Sequence, residues 1–442
     1  MRLFGRIRIT AFQTIVLGFL GIILLGTLLL MLPFARRGEG EANFLECLFT
    51  ATSATCVTGL VVRDTSTFWS PFGQAVILFL IQTGGLGVIT VSVSLAFLSG
   101  RRIGLMQRSI MQESISAPQV GGIIRLTRFL ILASLAVEGA GALLMLPAMI
   151  PAFGWGKGLW YALFHSVSAF CNAGFDLMGE TVPFSSLTAF AWNPFMNLAV
   201  LLLITVGGIG FLVWDDLREH GFHWKLFRLQ TRVVLITSFL LTLLPALLFY
   251  FLELRQLSPL ERVWPALFQS VTLRTAGFNT VDLSQFSPAG HTMMIFCMLV
   301  GGSPGSTAGG MKTTTLAVLL TTAWSVSRRR DAISFPGRRV PEDVVHNAVT
   351  ILMMYGILFA LSGVVISQLE ALPLRACLFE TASALGTVGL TLGITPELST
   401  PSRLILILLM FLGRVGGLTL IYAAQSAKKS RGMLPLEKIT VG

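Results

Sequence analysis

Four short segments with one shared chemical pattern recur along the chain. In each, a small or polar residue and a small residue precede glycine, and a large apolar residue follows it. The pattern returns roughly every 110 residues, and such self-similarity indicates repeated architecture. The central residue pairs are Thr58-Gly59, Ala173-Gly174, Ala276-Gly277 and Val388-Gly389. We expect these four segments to meet on one axis.

Segments of this kind can present backbone oxygens to a cation. Irregular backbone at membrane depth is tolerated only where it lines a cavity or is buried in protein. Rings of carbonyl oxygens can replace the hydration shell of an ion, and glycine allows the backbone angles and close approach that such rings need. A single glycine of this type is as readily explained as a helix C-cap. Four copies in register favour a cation-binding ring.

An acidic residue follows each of these glycines within a few positions. Placed on the outer side of a pore, such charges would concentrate cations at its mouth. Each acid is equally well explained as an ordinary loop charge or a helix cap, so both interpretations remain open. The four candidates are Asp64, Asp176, Asp282 and Glu397.

The composition places most of the chain in a membrane. Of 442 residues, 54% are apolar and only 12% are charged. A spanning helix needs roughly 20 predominantly apolar residues, and eight stretches are predicted to span. These are 11–34, 72–98, 126–150, 195–214, 233–252, 292–326, 344–368 and 404–425.

Short apolar helices are predicted between the paired spans, just before each glycine segment, at 43–54, 159–170, 260–272 and 374–385. The predicted fold class is therefore an all-α polytopic membrane protein. It has four pseudo-repeats of helix, pore loop and helix around a central ion pore. The predicted repeats cover 1–104, 105–222, 223–335 and 336–427, and residues 428–442 form a C-terminal tail.

The basic residues predict the orientation in the membrane. The formal charge of +11 does not require a nucleic acid partner, because Lys and Arg collect in the cytoplasmic loops of membrane proteins. On the side of the two termini lie 21 Lys and Arg residues, against nine on the side of the glycine segments. Both termini are therefore predicted to be cytoplasmic. None of the five cysteines forms a Cys-x-x-Cys pair, so neither a zinc nor a redox motif is predicted.

The second span of the third repeat carries a segment that cannot remain helical. Residues 301–310 contain five glycines and one proline, and both residue types destabilise helix interiors. A break at mid-membrane usually marks a binding site or a moving part. The predicted gate residues in this segment are Gly301, Gly302, Ser303, Gly305, Ser306, Thr307, Gly309 and Gly310.

Arg414 is a charged residue inside the predicted last span. Intramembrane charges are costly and are functional by default. Its distance along the chain from Gly389 is close to that of Gly301 from Gly277, so both should lie at one level beneath the ring. We expect Arg414 to belong to the gate and to bind the hydroxyls of Ser303, Ser306 or Thr307. Lys312 is predicted to be a cytoplasmic anchor.

Together these motifs resemble the Trk/Ktr/HKT superfamily of potassium-transporting membrane subunits, most closely the Ktr type, over nearly the whole chain. The phrases at 58–60, 172–175, 274–279 and 386–391 resemble its four filters, and 301–315 with Arg414 resembles its gate. The resemblance implies potassium uptake across the cell membrane, often stimulated by sodium. It also implies a homodimer docked on a cytosolic, nucleotide-binding regulatory ring of the KtrA or TrkA type. K⁺, with Na⁺ as a second candidate, is the implied ligand, and no organic cofactor is implied.

Two other classes of function compete with this interpretation. An alternating-access carrier for an organic solute would show twofold repeats and several buried carboxylates, whereas this chain shows fourfold repeats and few such carboxylates. A membrane-embedded hydrolase would need paired intramembrane acids or a His-Glu-x-x-His motif, and neither is present. The chain is therefore not predicted to be an enzyme.

Overall fold

Helices dominate the fold of the protein. The structure, a computed structural model, describes residues 10–38, 42–87, 104–115, 121–330, 333–335 and 338–424. In this part of the chain the only paired strands are β1 (Ser334–Phe335) and β2 (Arg338–Arg339), which form a short antiparallel hairpin. The predicted C-terminal tail lies outside the described residues.

Four helices of the described chain are long and apolar enough to cross a membrane by themselves. They are α1 (Ala11–Leu30), α6 (Ile123–Phe170), α9 (Leu229–Leu248, continued by a π turn over Phe249–Glu253) and α13 (Glu342–Glu370). The outward face of α1 exposes Leu17, Leu24 and Leu28. Exposed apolar faces on apolar helices fit a lipid environment, so the chain is a membrane protein.

Short helices lie between the spans and end at the glycine segments. They are α2 (Phe44–Thr55), the last part of α6, α10 (Val263–Thr272) and α14 (Leu374–Gly386). In α6 the span and the short helix are continuous along the chain, but Gly154 has a non-helical φ of 76° and separates them. A fifth short helix, α3 (Thr65–Phe68), follows the first glycine segment.

In the second, third and fourth predicted repeats the second helix is shorter than the hydropathy pattern suggests, whereas residues 88–98 of the predicted span 72–98 lie outside the described residues. The second helices of the four repeats are α4 (Pro71–Leu86), α7 (Pro194–Gly208), α11 (Pro288–Leu299) and α15 (Thr400–Val415). Serine or asparagine precedes each one, and proline lies in its first turn, a combination that favours a sharp helix start.

Two predicted spans are bent rather than straight, which corrects the ranges 195–214 and 404–425. Helix α7 meets α8 (Phe211–His220) at 92°, and α15 meets α16 (Gly417–Ala424) at 91°. Gly210 and Gly416 have φ of 95° and 87° at these corners, a region that favours glycine. Counting each bent pair as one span gives up to six candidate spans among the described residues, and α4 and α11 are shorter apolar helices.

The buried apolar side chains of the described residues form several separate clusters rather than one core. Helices α1, α2, α4, α6 and α7 bury Trp69, Tyr161, Phe164 and Phe170 together. Helices α13, α14 and α15 bury Ile366, Leu385 and Leu406 in a second cluster. Helices α5 (Leu105–Ile115) and α12 (Thr313–Ser327) are the remaining α-helices of the described residues. The packing brings all four glycine segments to the centre of the molecule.

Candidate functional site

The four glycine segments share one backbone conformation. Two residues before each glycine the chain adopts a left-handed conformation, at Val57, Asn172, Thr275 and Thr387. The glycines Gly59, Gly174, Gly277 and Gly389 also have positive φ, between 69° and 95°. Two left-handed positions so close together turn the chain sharply out of the short helix. A glycine is required at the second of them, because L side chains rarely adopt this region.

These glycines form a closed ring. A methyl group added to Gly59 would lie 2.6 Å from the Ala173 oxygen, and one added to Gly174 would lie 2.8 Å from the Ala276 oxygen. The same addition to Gly277 would meet the Val388 oxygen, and on Gly389 it would meet the Thr58 oxygen. The structure therefore brings together all eight residues of the four predicted pairs. Each glycine lies against the carbonyl that precedes the next glycine.

The ring is fully buried and is surrounded by helix ends. Thr58, Ala173, Ala276 and Val388 are each 0% exposed. Because each short helix ends beside the ring, the partially negative C-terminal ends of four helices lie close to it. Backbone carbonyls and helix ends together provide negative potential without any acidic side chain. This arrangement suits a dehydrated cation.

Glycines in the second helices allow the short helices to approach this closely. A side chain on Gly84, Gly207 or Gly413 would collide with the carbonyl oxygen of Thr55, Phe170 or Leu385, respectively. These three oxygens lie at the ends of α2, α6 and α14. Small residues permit such close helix contacts in membranes. Gly84, Gly207 and Gly413 therefore allow the short helices to approach the ring closely.

The glycine-rich segment of the third repeat forms a loop, because α11 ends at Leu299 and α12 begins only at Thr313. The loop closes on itself, since the Gly301 amide donates to the Met311 carbonyl at 2.8 Å and the Thr313 amide donates to the Gly302 carbonyl at 3.0 Å. The bridge between Val300 and Met311 fixes the same closure.

Residues of the predicted second and fourth repeats contact this loop. The Ser303 amide donates to the Gly208 carbonyl at 3.1 Å, and the Phe211 amide donates to the Gly305 carbonyl at 2.7 Å. A side chain on Gly309 would collide with Thr387, so the loop touches the fourth glycine segment. The loop therefore packs against the ring segments.

Arg414 connects the loop to the first repeat. Its guanidinium donates to the carbonyl oxygens of Thr307 and Gly84, and to that of Gly85 at 3.0 Å. The prediction that Arg414 would bind loop hydroxyls is wrong, because its partner in the loop is a backbone carbonyl. The Thr307 hydroxyl instead donates to the Phe170 carbonyl at 3.0 Å, and the Ser306 hydroxyl donates to the Ser303 carbonyl at 2.7 Å.

A cavity of about 300 Å³ opens below the loop. Arg414 and Lys312 line it, together with Glu113 from α5, Gly87 at the end of α4 and the corner glycine Gly416. Lys312 folds back and donates to the Ala308 carbonyl at 2.8 Å, so it belongs to the loop and cavity rather than to a separate anchor. Glu113 was not predicted, because no recurring motif marks it.

The four predicted mouth acids have different surroundings. Asp64 is buried and accepts hydrogen bonds from Ser66, Thr67 and, across to the second repeat, the Phe184 amide at 2.9 Å. It acts as a helix cap and a link between repeats. Asp176 accepts from the Met178 amide at 2.9 Å. Asp282 and Glu397 are exposed.

Asp282 lies in a loop outside the spans and is held in its charged form. The Ser284 hydroxyl donates to it at 2.7 Å. This bond, aided by the Ser284 amide and by Gln285, lowers the pKa of the Asp282 carboxyl, although partial burial opposes the shift. Hydrogen bonds to a carboxylate favour its ionised form. Asp282 therefore stays negatively charged as the solution becomes acidic.

Comparison with known proteins identifies the family. The model of the TrkH family, described as a cation transport protein, matches residues 8–431. The potassium/sodium uptake protein NtpJ of Enterococcus hirae is 37% identical, over 95% of this chain and 93% of its own length. The Ktr system potassium uptake protein B of Bacillus subtilis is 36% identical, over 99% of this chain and 98% of its own length.

A solved structure shows the same fold. The crystal structure of the potassium transporter TrkH from Vibrio parahaemolyticus superposes with a TM-score of 0.73. It is 21% identical and covers 96% of this chain and 86% of its own chain. A transport protein of this kind is not an enzyme, in agreement with the expectation from the sequence. On these matches the chain belongs to the TrkH family of cation transport proteins.

Proposed function

We propose that the protein takes up potassium across the cell membrane as the ion-translocating subunit of a Ktr- or Trk-type system. The observation that carries this proposal is the closed ring of four glycines, in which each glycine packs against the neighbouring carbonyl. Two relatives, a potassium/sodium uptake protein at 37% identity and a potassium uptake protein at 36% identity, support it. The ring is the proposed selectivity filter, formed by the carbonyls of Thr58, Ala173, Ala276 and Val388 and by their glycines.

The loop and Arg414 form the proposed gate. Arg414 holds the loop to Gly84 and Gly85, so one side chain spans two repeats beneath the filter. A positive charge at this point opposes a passing cation, at a cost that depends steeply on the local dielectric. For the gate to open, Arg414 must release the carbonyls of Thr307, Gly84 and Gly85. The gate comprises Gly301–Gly302, Ser303, Gly305–Thr307 and Gly309–Gly310 with Arg414.

Regulation is proposed to come from a second protein. The chain contains no nucleotide-binding motif, and Ktr system proteins are among its relatives. We infer a homodimer, with cytoplasmic termini, docked on a cytosolic nucleotide-binding ring, and stimulation of uptake by Na⁺. We also infer that residues 433–442, which lie outside the described residues, contribute to the dimer. Light scattering of the detergent-solubilised protein tests the dimer, and a monomeric particle would contradict it.

Potassium flux into vesicles, with sodium as competitor, tests the proposed function. The purified protein is reconstituted and K⁺ entry is measured with and without excess external Na⁺. We expect K⁺ entry to dominate in the wild type and the preference for K⁺ to fall in Gly59→Ser, whose added atoms would meet the Ala173 oxygen. Unchanged selectivity in a folded Gly59→Ser variant would count against the filter assignment.

A further inference from the structure

The four filter segments fall into two pairs according to how a hydroxyl from the short helix meets them. In the first and fourth segments the Ser53 and Ser383 hydroxyls accept hydrogen bonds from the Gly59 amide at 3.1 Å and the Gly389 amide at 3.0 Å. The hydroxyl therefore stabilises the amide of the ring glycine itself.

In the second and third segments the hydroxyl donates a hydrogen bond instead of accepting one. The Ser168 hydroxyl donates to the Phe175 carbonyl at 2.8 Å, and the Thr272 hydroxyl donates to the Phe278 carbonyl at 2.6 Å. Phe175 and Phe278 directly follow the ring glycines. Their oxygens are thus turned towards the short helices behind the filter.

The corresponding carbonyls of the other pair receive no such bond from the residues that the structure describes. Leu60 and Leu390 follow Gly59 and Gly389, and within the described chain no hydroxyl from a short helix donates to either oxygen. The sequence shows the same division, because leucine follows the glycine in one pair and phenylalanine follows it in the other. The ring order places the first segment beside the fourth and the second beside the third. The two kinds of segment therefore occupy opposite sides of the pore.

We propose that the outermost ion position, just beyond the glycine ring, is formed by the first and fourth repeats alone. In this proposal Leu60 and Leu390 offer their carbonyls to the ion. Ser168 and Thr272 are specificity-determining residues that hold the Phe175 and Phe278 carbonyls away from the axis. The inference rests on the proposed filter function.

A half-formed carbonyl ring has a definite chemical consequence. Two oxygens replace only part of a hydration shell, so the ligand at this position is a monovalent cation that keeps several water molecules. Selection by carbonyl coordination depends on the number and field strength of the oxygens. The outermost position therefore discriminates less between K⁺ and Na⁺ than the complete ring below it, and external Na⁺ competes for it.

Variants at the two hydroxyls test the proposal. Ser168→Ala and Thr272→Val remove the donors that hold the Phe175 and Phe278 carbonyls, and the double variant frees both oxygens to face the ion. We expect the KM for K⁺ uptake in vesicles to fall roughly three- to tenfold, in keeping with one released hydrogen bond per carbonyl. Inhibition by external Na⁺ should weaken in parallel.

Ser53→Ala and Ser383→Ala are the matched controls. They remove a hydroxyl of the same kind from the first and fourth repeats, but they leave a glycine amide unpaired instead of a carbonyl. We expect lower thermal stability and a lower maximal rate without a fall in KM. The conservative changes Ser168→Thr and Thr272→Ser keep the hydroxyl and should restore the wild-type KM. A KM that is unchanged or raised in the Ser168→Ala, Thr272→Val variant would overturn the proposal.

The same vesicle assay separates this proposal from the filter assignment. If Gly59→Ser loses selectivity while the hydroxyl variants behave like Ser53→Ala and Ser383→Ala, only the inference about the outermost position fails. If Gly59→Ser keeps its selectivity, the filter assignment itself fails. A fall in KM confined to the Ser168 and Thr272 variants supports both.

Discussion

The glycine ring and the neighbouring cavity differ in how tightly their residues are packed. In the ring, buried backbone packs against backbone, and a methyl group on any of the four glycines would lie within 3 Å of a neighbouring carbonyl. The cavity has about 300 Å³ of open space, and its lining includes the charged side chains of Glu113, Lys312 and Arg414. The ring leaves no room for adjustment, as expected for a region that must hold one geometry. The cavity offers the freedom that a moving loop needs.

The largest expected effect comes from adding a methyl group to the ring. Gly389→Ala would place the new carbon against the Thr58 carbonyl, so we expect the preference for K⁺ over Na⁺ to fall at least about tenfold, the equivalent of roughly 1.4 kcal/mol. Gly393→Ala is the matched control, because Gly393 has a similar φ of 94° but no heavy atom within 4 Å of the added carbon.

This control separates backbone strain from crowding of the ring. Gly393→Ala should cost about 1 kcal/mol of stability, because alanine at positive φ is strained, and should retain selectivity. Competitive K⁺ and Na⁺ uptake in vesicles, with thermal unfolding of both variants, gives the comparison. Equal loss of selectivity in the two variants would show that the ring is not the selective element.

The second-largest expected effect comes from replacing Arg414, which lines the cavity. Arg414→Ala removes the bonds to Thr307, Gly84 and Gly85, and we expect K⁺ flux to rise severalfold and to depend less on the regulatory partner. Arg414→Lys is the informative control, because lysine keeps the charge but lacks the planar fork that reaches several carbonyls. A rise in both variants identifies the bonding as the barrier, whereas a rise only in Arg414→Ala identifies the charge.

Shortening the loop tests the same region without changing a charge. Removal of residues 303–308 eliminates the Thr307 carbonyl that Arg414 binds and the contacts with Gly208 and Phe211. We expect higher flux with unaltered K⁺ preference, because the ring residues are retained. Flux at the wild-type rate in a folded variant, with regulation intact, would place the gate elsewhere.

A smaller effect is expected from a substitution at Glu113, the acidic residue that lines the cavity. Glu113 lies on α5 and lines the cavity together with Arg414 and Lys312. Its negative charge offsets theirs for a passing cation, so Glu113→Gln should lower K⁺ flux about twofold at low ionic strength and less in high salt. Glu180→Gln is a suitable control, since Glu180 pairs with Lys157 at 3.0 Å and lies away from the cavity. Equal effects of the two substitutions would remove Glu113 from the conduction path.

The smallest effect concerns Asp282 above the ring. Its pKa is lowered by Ser284, so the stabilisation is present above the unfolded-state pKa and is lost as the pH falls through the folded-state value. At neutral pH, Asp282→Asn should raise the KM for K⁺ no more than about twofold at low salt. The difference from wild type should vanish once the pH falls below the folded-state pKa of Asp282. A difference that persists there would mean that charge is not the cause.

The sequence alone predicted much of this architecture. Long apolar stretches without charges have few alternatives to membrane helices, so the four long spans could be placed within a few residues. The glycines Gly59, Gly174, Gly277 and Gly389 were found from their recurrence. The five glycines and the proline between Gly301 and Gly310 exclude a regular helix, and the chain there is a loop. Each of these features depends on local backbone preference or on composition.

Only the tertiary structure decided how these elements meet. Hydropathy carries no information on direction, so the corners of 92° and 91° at Gly210 and Gly416 were not predicted. The partners of Arg414 include the carbonyls of Gly84 and Gly85, more than 300 residues away in the chain. Every residue has a carbonyl, so sequence cannot mark the one that an arginine will bind. Whether the hydroxyl accepts a hydrogen bond, as at Ser53, or donates one, as at Ser168, is likewise set by the packing of the short helices, which residue types do not encode locally.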